Sequence, residues 1–212
     1  MASLLVVLDV DSTLIEEEAI ELLAEEAGSG AAVAAVTARA MAGELDFAAS
    51  LAERVVTLAG LDEGVFARVA PRITLTRGAR ELVAGVHAVD GCVAVVSGGF
   101  HELLDPLAAD LGLDAHRANR LALEGGRLTG RTTGPVIDAA AKAQALHEWA
   151  ERFAVPRART VAVGDGANDL AMMAAAGLSI AFDAKPIVRG AAHVSLVERD
   201  LAAVLGVLGL RG

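Results

Sequence analysis

The run Leu4-Leu5-Val6-Val7-Leu8-Asp9-Val10-Asp11-Ser12-Thr13 decides how this chain folds. Unbroken apolar residues with no polar alternation fit a strand buried on both faces of a parallel sheet. Similar runs recur at Cys92–Val96, Thr160–Val163 and Leu178–Phe182, with a weaker one at His193–Leu196. Helical patterns separate most of them, at about 78–89, 100–112, 139–153, 168–176, 185–191 and 198–208. Strands alternating with helices predict a doubly wound, Rossmann-like α/β fold on a parallel sheet. Leu121–Thr129 differs: two short extended pieces flank Gly125-Gly126, the signature of a β-hairpin.

The stretch from about 15 to 75 breaks the alternation. It is rich in Ala, Glu and Leu, has almost no strand signals, and is punctuated by Gly28-Ser29-Gly30, Gly43, Gly60 and Pro71. It reads as a helical insertion at 15–75, leaving 1–14 and 76–212 to form the α/β core. Ser12 and Thr13 are expected to cap its first helix, with Glu16, Glu17 and Glu18 in the opening turns.

Of the 212 residues, 54% are hydrophobic and the formal net charge is −10. That composition supports a sizeable core and excludes disorder. An anionic chain with no basic run is a poor partner for nucleic acid or an anionic membrane surface. The longest uncharged run, Leu170–Phe182, is too short to span a bilayer. A single cysteine, Cys92, precludes an internal disulfide and any multi-cysteine metal site. With no basic leader after Met1, a cytoplasmic location is expected. The five histidines share no metal-ligand spacing and read as structural or surface groups.

Four signals stand at or near the predicted strand ends, where open α/β sheets bind ligands. Asp9 and Asp11 leave the first strand at i and i+2 and can face one pocket. An ionised carboxylate there can attack phosphorus, and a second, beside it, can exchange protons. Ser97-Gly98-Gly99, read as a strand-to-helix turn, offers a hydroxyl and small-residue amides as an anion cradle. Lys142, one of two lysines in the chain, could offset repulsion between a carboxylate and a phosphate if it points inward. Gly164-Asp165-Gly166-Ala167-Asn168-Asp169 supplies hard oxygen ligands suited to Mg²⁺. Taken singly, each has a plainer reading: turn-forming aspartates, a helix cap, a surface lysine, a polar turn.

Together, their order and spacing resemble the haloacid dehalogenase superfamily of aspartate-nucleophile phosphohydrolases. The resemblance covers essentially the whole chain, including Gly126–Gly130 and Ala181–Pro186, and is most specific at Asp9–Leu14 and Gly164–Asp169. It implies Asp9 as nucleophile, forming an aspartyl-phosphate, and Asp11 as general acid and base. Mg²⁺ would be held by Asp9, the Asp11 backbone carbonyl and Asp165, with Asp169 supporting the metal site or Lys142. Ser97, Gly98, Lys142 and Asn168 would attend the phosphoryl group. The insertion would be a helical-bundle cap that chooses the substrate. Within the superfamily the match is nearest to the branch hydrolysing O-phospho-L-serine, in the last step of serine formation. That substrate needs a fixed anion for its ammonium and a fixed cation for its carboxylate; Glu18 and Arg54 match those positions, with Met41 and Phe47 shaping an apolar lining.

Rival readings stay open at this point. A phosphotransferase would pass the same phosphoryl group to an alcohol, and a phosphatase of this superfamily could act on another small phosphomonoester. A silent binding module would lack a charged site residue, and none is missing. A dehalogenase would need neither Asp11 nor a metal, and a closing cap argues against phosphoprotein substrates. A homodimer is left open, and end-product control through an N-terminal regulatory extension is not expected.

Overall fold

The computed structural model describes residues 2–41 and 43–210. Its seven-stranded sheet is built around the first strand, β1 (Leu5–Leu8), which lies between β2 (Cys92–Phe100) and β5 (Thr160–Gly164). Both pairings are parallel and start level, Leu5 facing Cys92 on one side and Thr160 on the other. Outward from β5 come β6 (Leu178–Phe182) and β7 (Val194–Leu196); outward from β2 come β3 (Ala115–Glu124) and β4 (Arg127–Thr133).

β1 is buried from end to end because helices cover both faces. Val6 and Leu8 point to the layer of α5 (Ala79–His87), α6 (His101–Leu111) and α10 (Ala203–Val207), packing with residues such as Leu82, Val86 and Leu205. Leu5 and Val7 point the other way, to Leu146 and Trp149 of α7 (Ala139–Arg152), Met172 of α8 (Leu170–Ala175) and Val188 of α9 (Pro186–Ala191).

Two local expectations are corrected. The hairpin is longer than 121–129 and belongs to the main sheet: the first part of β3 pairs in parallel with β2, and β4 turns back antiparallel along the rest of β3. His116 and Arg117 hide that first part by breaking the apolar run. The cap of the inserted helices also differs. Residues 10–14 form a tight irregular turn, with Asp11 extended and Ser12 left-handed (φ 56°, ψ 6°). Glu16, Glu17 and Glu18 precede α1 (Ala19–Glu26), and the Ala19 amide donates to Asp11 Oδ1 at 2.7 Å. Asp11 thus does the work expected of Ser12 and Thr13.

After α1 the insertion continues through α2 (Gly30–Met41), α3 (Phe47–Val56) and α4 (Val65–Val69). Its entry and exit segments meet in an isolated Ile15–Leu75 bridge. Leu23, Val33, Leu51, Val55 and Leu58 form its core, which is continuous with Leu121 and Leu128 of the hairpin. No helix among the described residues is long and apolar enough to cross a membrane.

Candidate active site

The carboxyl ends of β1, β2 and β5 lie side by side, so their loops meet in one place. The Asp9 amide donates to the Val163 carbonyl at 2.9 Å, extending the β1–β5 ladder one residue past the strand. This fixes the Asp9 carboxylate at the sheet edge, where Oδ1 accepts from the Val10 amide at 2.7 Å. Lys142 Nζ lies 2.6 Å from Asp9 Oδ1 and 2.8 Å from Asp169 Oδ1. All three side chains are buried. Burial would lower the Lys142 pKa, but Asp169 and Asp9 outweigh it and hold the ammonium charged, above its ordinary value. Burial and then Asp169 push the Asp9 carboxyl well up, while Lys142 pulls it back.

Asp165 stands next to this pair. Burial and Asp169 raise its pKa, and Thr13 Oγ1 donates to it at 3.3 Å. Asp9, Asp165 and Asp169 each offer an oxygen within 4.8 Å of the others. Three crowded carboxylates against one ammonium leave excess negative charge in a partly desolvated site. A hard divalent cation fits that donor set. Gly164 is required for the crowding, since a Cβ there would come within 2.3 Å of Asp169 Oδ2.

Asp11 faces the same space from the opposite side. Its Oδ2 accepts from Ser97 Oγ at 2.7 Å, and Ser97 Oγ in turn accepts from the Gly99 amide at 2.7 Å. The Ser97-Gly98-Gly99 segment is not a strand-to-helix turn; it is the irregular last part of β2. Asn119, buried on β3, explains its shape. Asn119 Nδ2 donates to the Gly98 carbonyl at 2.8 Å while Oδ1 accepts from the Ile137 amide, which leads into α7 and Lys142.

A cavity of about 170 Å³ connects these groups to the insertion. Asp9, Asp11, Gly98, Gly99, Asp165, Gly166, Asn168 and Lys185 line it on the core side; Glu18, Ile20, Phe47, Leu51 and Arg54 line it on the other. Ser97, Lys142 and Asp169 stand behind this lining and act on it through Asp11 and Asp9. The Phe47 ring sits over Gly98, where a Cβ would meet it at 2.7 Å. The side chain of Met41 lies outside the described residues.

The insertion wall carries opposite charges. Glu18 accepts from Ser12 Oγ at 2.8 Å, and burial, followed by the Asp11 charge, pushes its pKa up to about 7. Arg54 Nε donates to the Ser50 carbonyl of its own helix at 3.2 Å. Burial lowers the Arg54 pKa, partly countered by Glu18 and Asp11.

Sequence reasoning did not find Ile20, Leu51, Thr13, Asn119 or Lys185. The first two carry no signal beyond core hydrophobicity, and Asn119 and Thr13 act through partners far away in the chain. It also missed that His101, Asp105 and His116 converge closely enough to hold a metal. Their hydrogen bonds assign them a structural role. His101 Nε2 accepts from the Ala118 amide at 3.1 Å, so the ring proton is on Nδ1, which donates to Asp105 at 2.6 Å. A metal would need that nitrogen bare.

Known proteins share this architecture. A phosphoserine phosphatase of Streptomyces coelicolor is 52% identical over 209 residues, covering 99% of this chain, which spans 51% of that relative's length. One from Streptococcus thermophilus is 48% identical over 204 residues, covering 96% of this chain and 95% of the relative. Among solved structures, a substrate-bound phosphoserine phosphatase complex superposes with a TM-score of 0.92 at 40% identity, over 98% of this chain and 99% of that one. A phospho-aspartyl intermediate analogue of a phosphoserine phosphatase gives 0.91 at the same identity and coverage. The model of the haloacid dehalogenase-like hydrolases matches residues 6–174, a span that runs from β1 into α8 and takes in Asp9, Asp11, Lys142 and Asp165, and the chain belongs to that family.

Proposed function

We propose that this chain is a Mg²⁺-dependent phosphomonoesterase that hydrolyses O-phospho-L-serine to L-serine and phosphate, acting in the cytoplasm. One observation carries the reading: a single cavity has Asp9, Asp11 and Asp165 on its core side and the unlike charges of Glu18 and Arg54 on the other. The first set suits phosphoryl transfer, and the second suits an amino acid's ammonium and carboxylate.

Asp9 is the nucleophile. One of its carboxylate oxygens forms a bond to phosphorus as the seryl oxygen leaves. Asp11 gives that oxygen a proton, and takes one from the water that then attacks the aspartyl-phosphate, so it ends as it began. Lys142, 2.6 Å from Asp9, reduces the repulsion between an anionic nucleophile and an anionic phosphate. The Gly98 amide, free of a side chain, is a donor for a phosphoryl oxygen. Asp9, the Asp11 carbonyl and Asp165 would hold Mg²⁺, with Asp169 behind them. When bound, the ion supplies Lewis-acid neutralisation of phosphoryl charge. Arg54 pairs with the substrate carboxylate through its planar fork, Glu18 accepts from the ammonium, and Phe47, Ile20 and Leu51 exclude water.

The test is phosphate release from a panel of phosphomonoesters, with and without EDTA, and with alcohols as competing acceptors. Phosphoserine is expected to be the preferred substrate, with activity lost in EDTA and water as the acceptor. Asp9→Asn should lower turnover by more than about a thousandfold while leaving the fold intact. Substantial remaining activity in that variant would refute the nucleophile assignment, and transfer to alcohols in place of hydrolysis would favour a phosphotransferase.

A further inference from the structure

Arg199 lies between β7 and α10 and does not line the cavity, yet it reaches the turn that carries Asp11. Its Nη1 donates to the Ser12 carbonyl at 3.2 Å and to Asp183 Oδ2 at 3.3 Å, and its Nε donates to Glu16 Oε2 at 2.9 Å. The guanidinium carbon is 5.9 Å from the centroid of the fully buried Phe182 ring. One planar group therefore joins the loop after β1, the segment entering the insertion, and the loop after β6.

Ser12 is the reason this matters. Its left-handed backbone is unfavourable for a residue with a Cβ, and Asp183 shares that conformation at φ 42°. Three contacts hold Ser12 there: its amide donates to the Glu17 carbonyl at 3.3 Å, its hydroxyl donates to Glu18, and its carbonyl accepts from Arg199. If Ser12 relaxed to a right-handed conformation, the Asp11–Ser12 peptide would rotate. The Asp11 carbonyl and carboxylate would then move relative to Asp9. The ion pairs to Glu16 and Asp183 are partly exposed and add little by themselves; the carbonyl contact is the one with a geometric consequence.

We propose that Arg199 is a positioning residue for the phosphoryl-transfer step, keeping Asp11 aligned with Asp9 by holding Ser12 in its left-handed state. The proposal rests on the phosphatase reading above. The experiment compares wild type, Arg199→Lys and Arg199→Ala on O-phospho-L-serine and p-nitrophenyl phosphate with saturating Mg²⁺, alongside thermal unfolding. In Arg199→Ala, kcat should fall about tenfold to a hundredfold on both substrates, with the phosphoserine KM unchanged within about twofold. Methylguanidinium should restore part of that loss. Arg199→Lys keeps the charge but not the fork, and should still lose about tenfold in kcat at near wild-type stability. Wild-type kcat in Arg199→Lys, or a defect confined to the KM for phosphoserine, would overturn the proposal. That result remains available if Arg199→Ala does not fold. A wild-type enzyme that releases no phosphate would instead overturn the parent reading, and this one with it.

Discussion

Alanines flank Lys142 on both sides, and nothing in that local pattern distinguishes it from a solvated lysine. Its burial follows from two partners far away in sequence, Asp9 and Asp169, which the sheet brings together. Asp9 and Asp165 were easier to read, because each sits within or just beyond an apolar strand run. Arg54 and Glu18 were legible only through resemblance; an arginine on a helix and an acid before one have ordinary surface meanings. Their roles can be separated experimentally. Arg54→Ala should reduce kcat/KM for phosphoserine by about a hundredfold or more and barely affect an aryl phosphate. Equal losses on both would make Arg54 a structural residue. Glu18 offers a pH test. Its pKa rises from 4.5 to about 7 on folding, so the folded state holds the proton more tightly. The associated stability is fully present below about pH 4.5 and is lost as pH rises through about 7. Glu18→Gln, neutral throughout, should match the wild-type Tm near pH 5 and exceed it by a few degrees at pH 8 in metal-free melts. A constant difference across that range would contradict the shifted carboxyl.

At the scale of elements, α3 forms much of the insertion's wall of the cavity: Phe47, Leu51 and Arg54 fall at i, i+4 and i+7 and all line it. Asp46 begins it, accepting from the Ala49 amide at 2.7 Å. Removing that cap with Asp46→Ala should cost about 1 kcal/mol. Since the frayed end carries Phe47, the KM for phosphoserine should rise severalfold while kcat stays within about twofold; steady-state kinetics on the purified variant would decide. Leu51 carried no signal of its own, and what α3 faces was not legible either, because Gly98 belongs to β2, far away in the chain. β2 was misjudged for a related reason. Consecutive glycines read as a turn, yet the chain stays extended to Phe100, since Asn119 supplies the Gly98 carbonyl with a partner.

For the whole molecule, the apolar runs were enough to give β1, β2, β5, β6 and β7 and the layered fold, but not the start of β3 or the order of strands across the sheet. No local pattern says that β1 pairs with residues near 92 and near 160, or that the hairpin extends the sheet and shares a core with the inserted helices. The convergence of Asp9, Asp165 and Asp169 is a property of that order, and so is its electrostatic cost. Adding Mg²⁺ at about a hundred times its Kd to EDTA-stripped protein should raise the Tm by roughly 5–10 °C, and Asp165→Asn should remove most of the shift. An unchanged Tm in the wild type would argue against a cation site. The central place of the first strand has a further result during biosynthesis. Asp9 leaves the ribosome well before its ammonium and acidic neighbours, which emerge only after residues 142 and 165 have been translated. At about 5–20 residues per second, Asp9 waits on the order of ten to thirty seconds for them. A nascent chain therefore keeps the Asp9 carboxylate apart from its charged partners until β5 and the turn after it have been made.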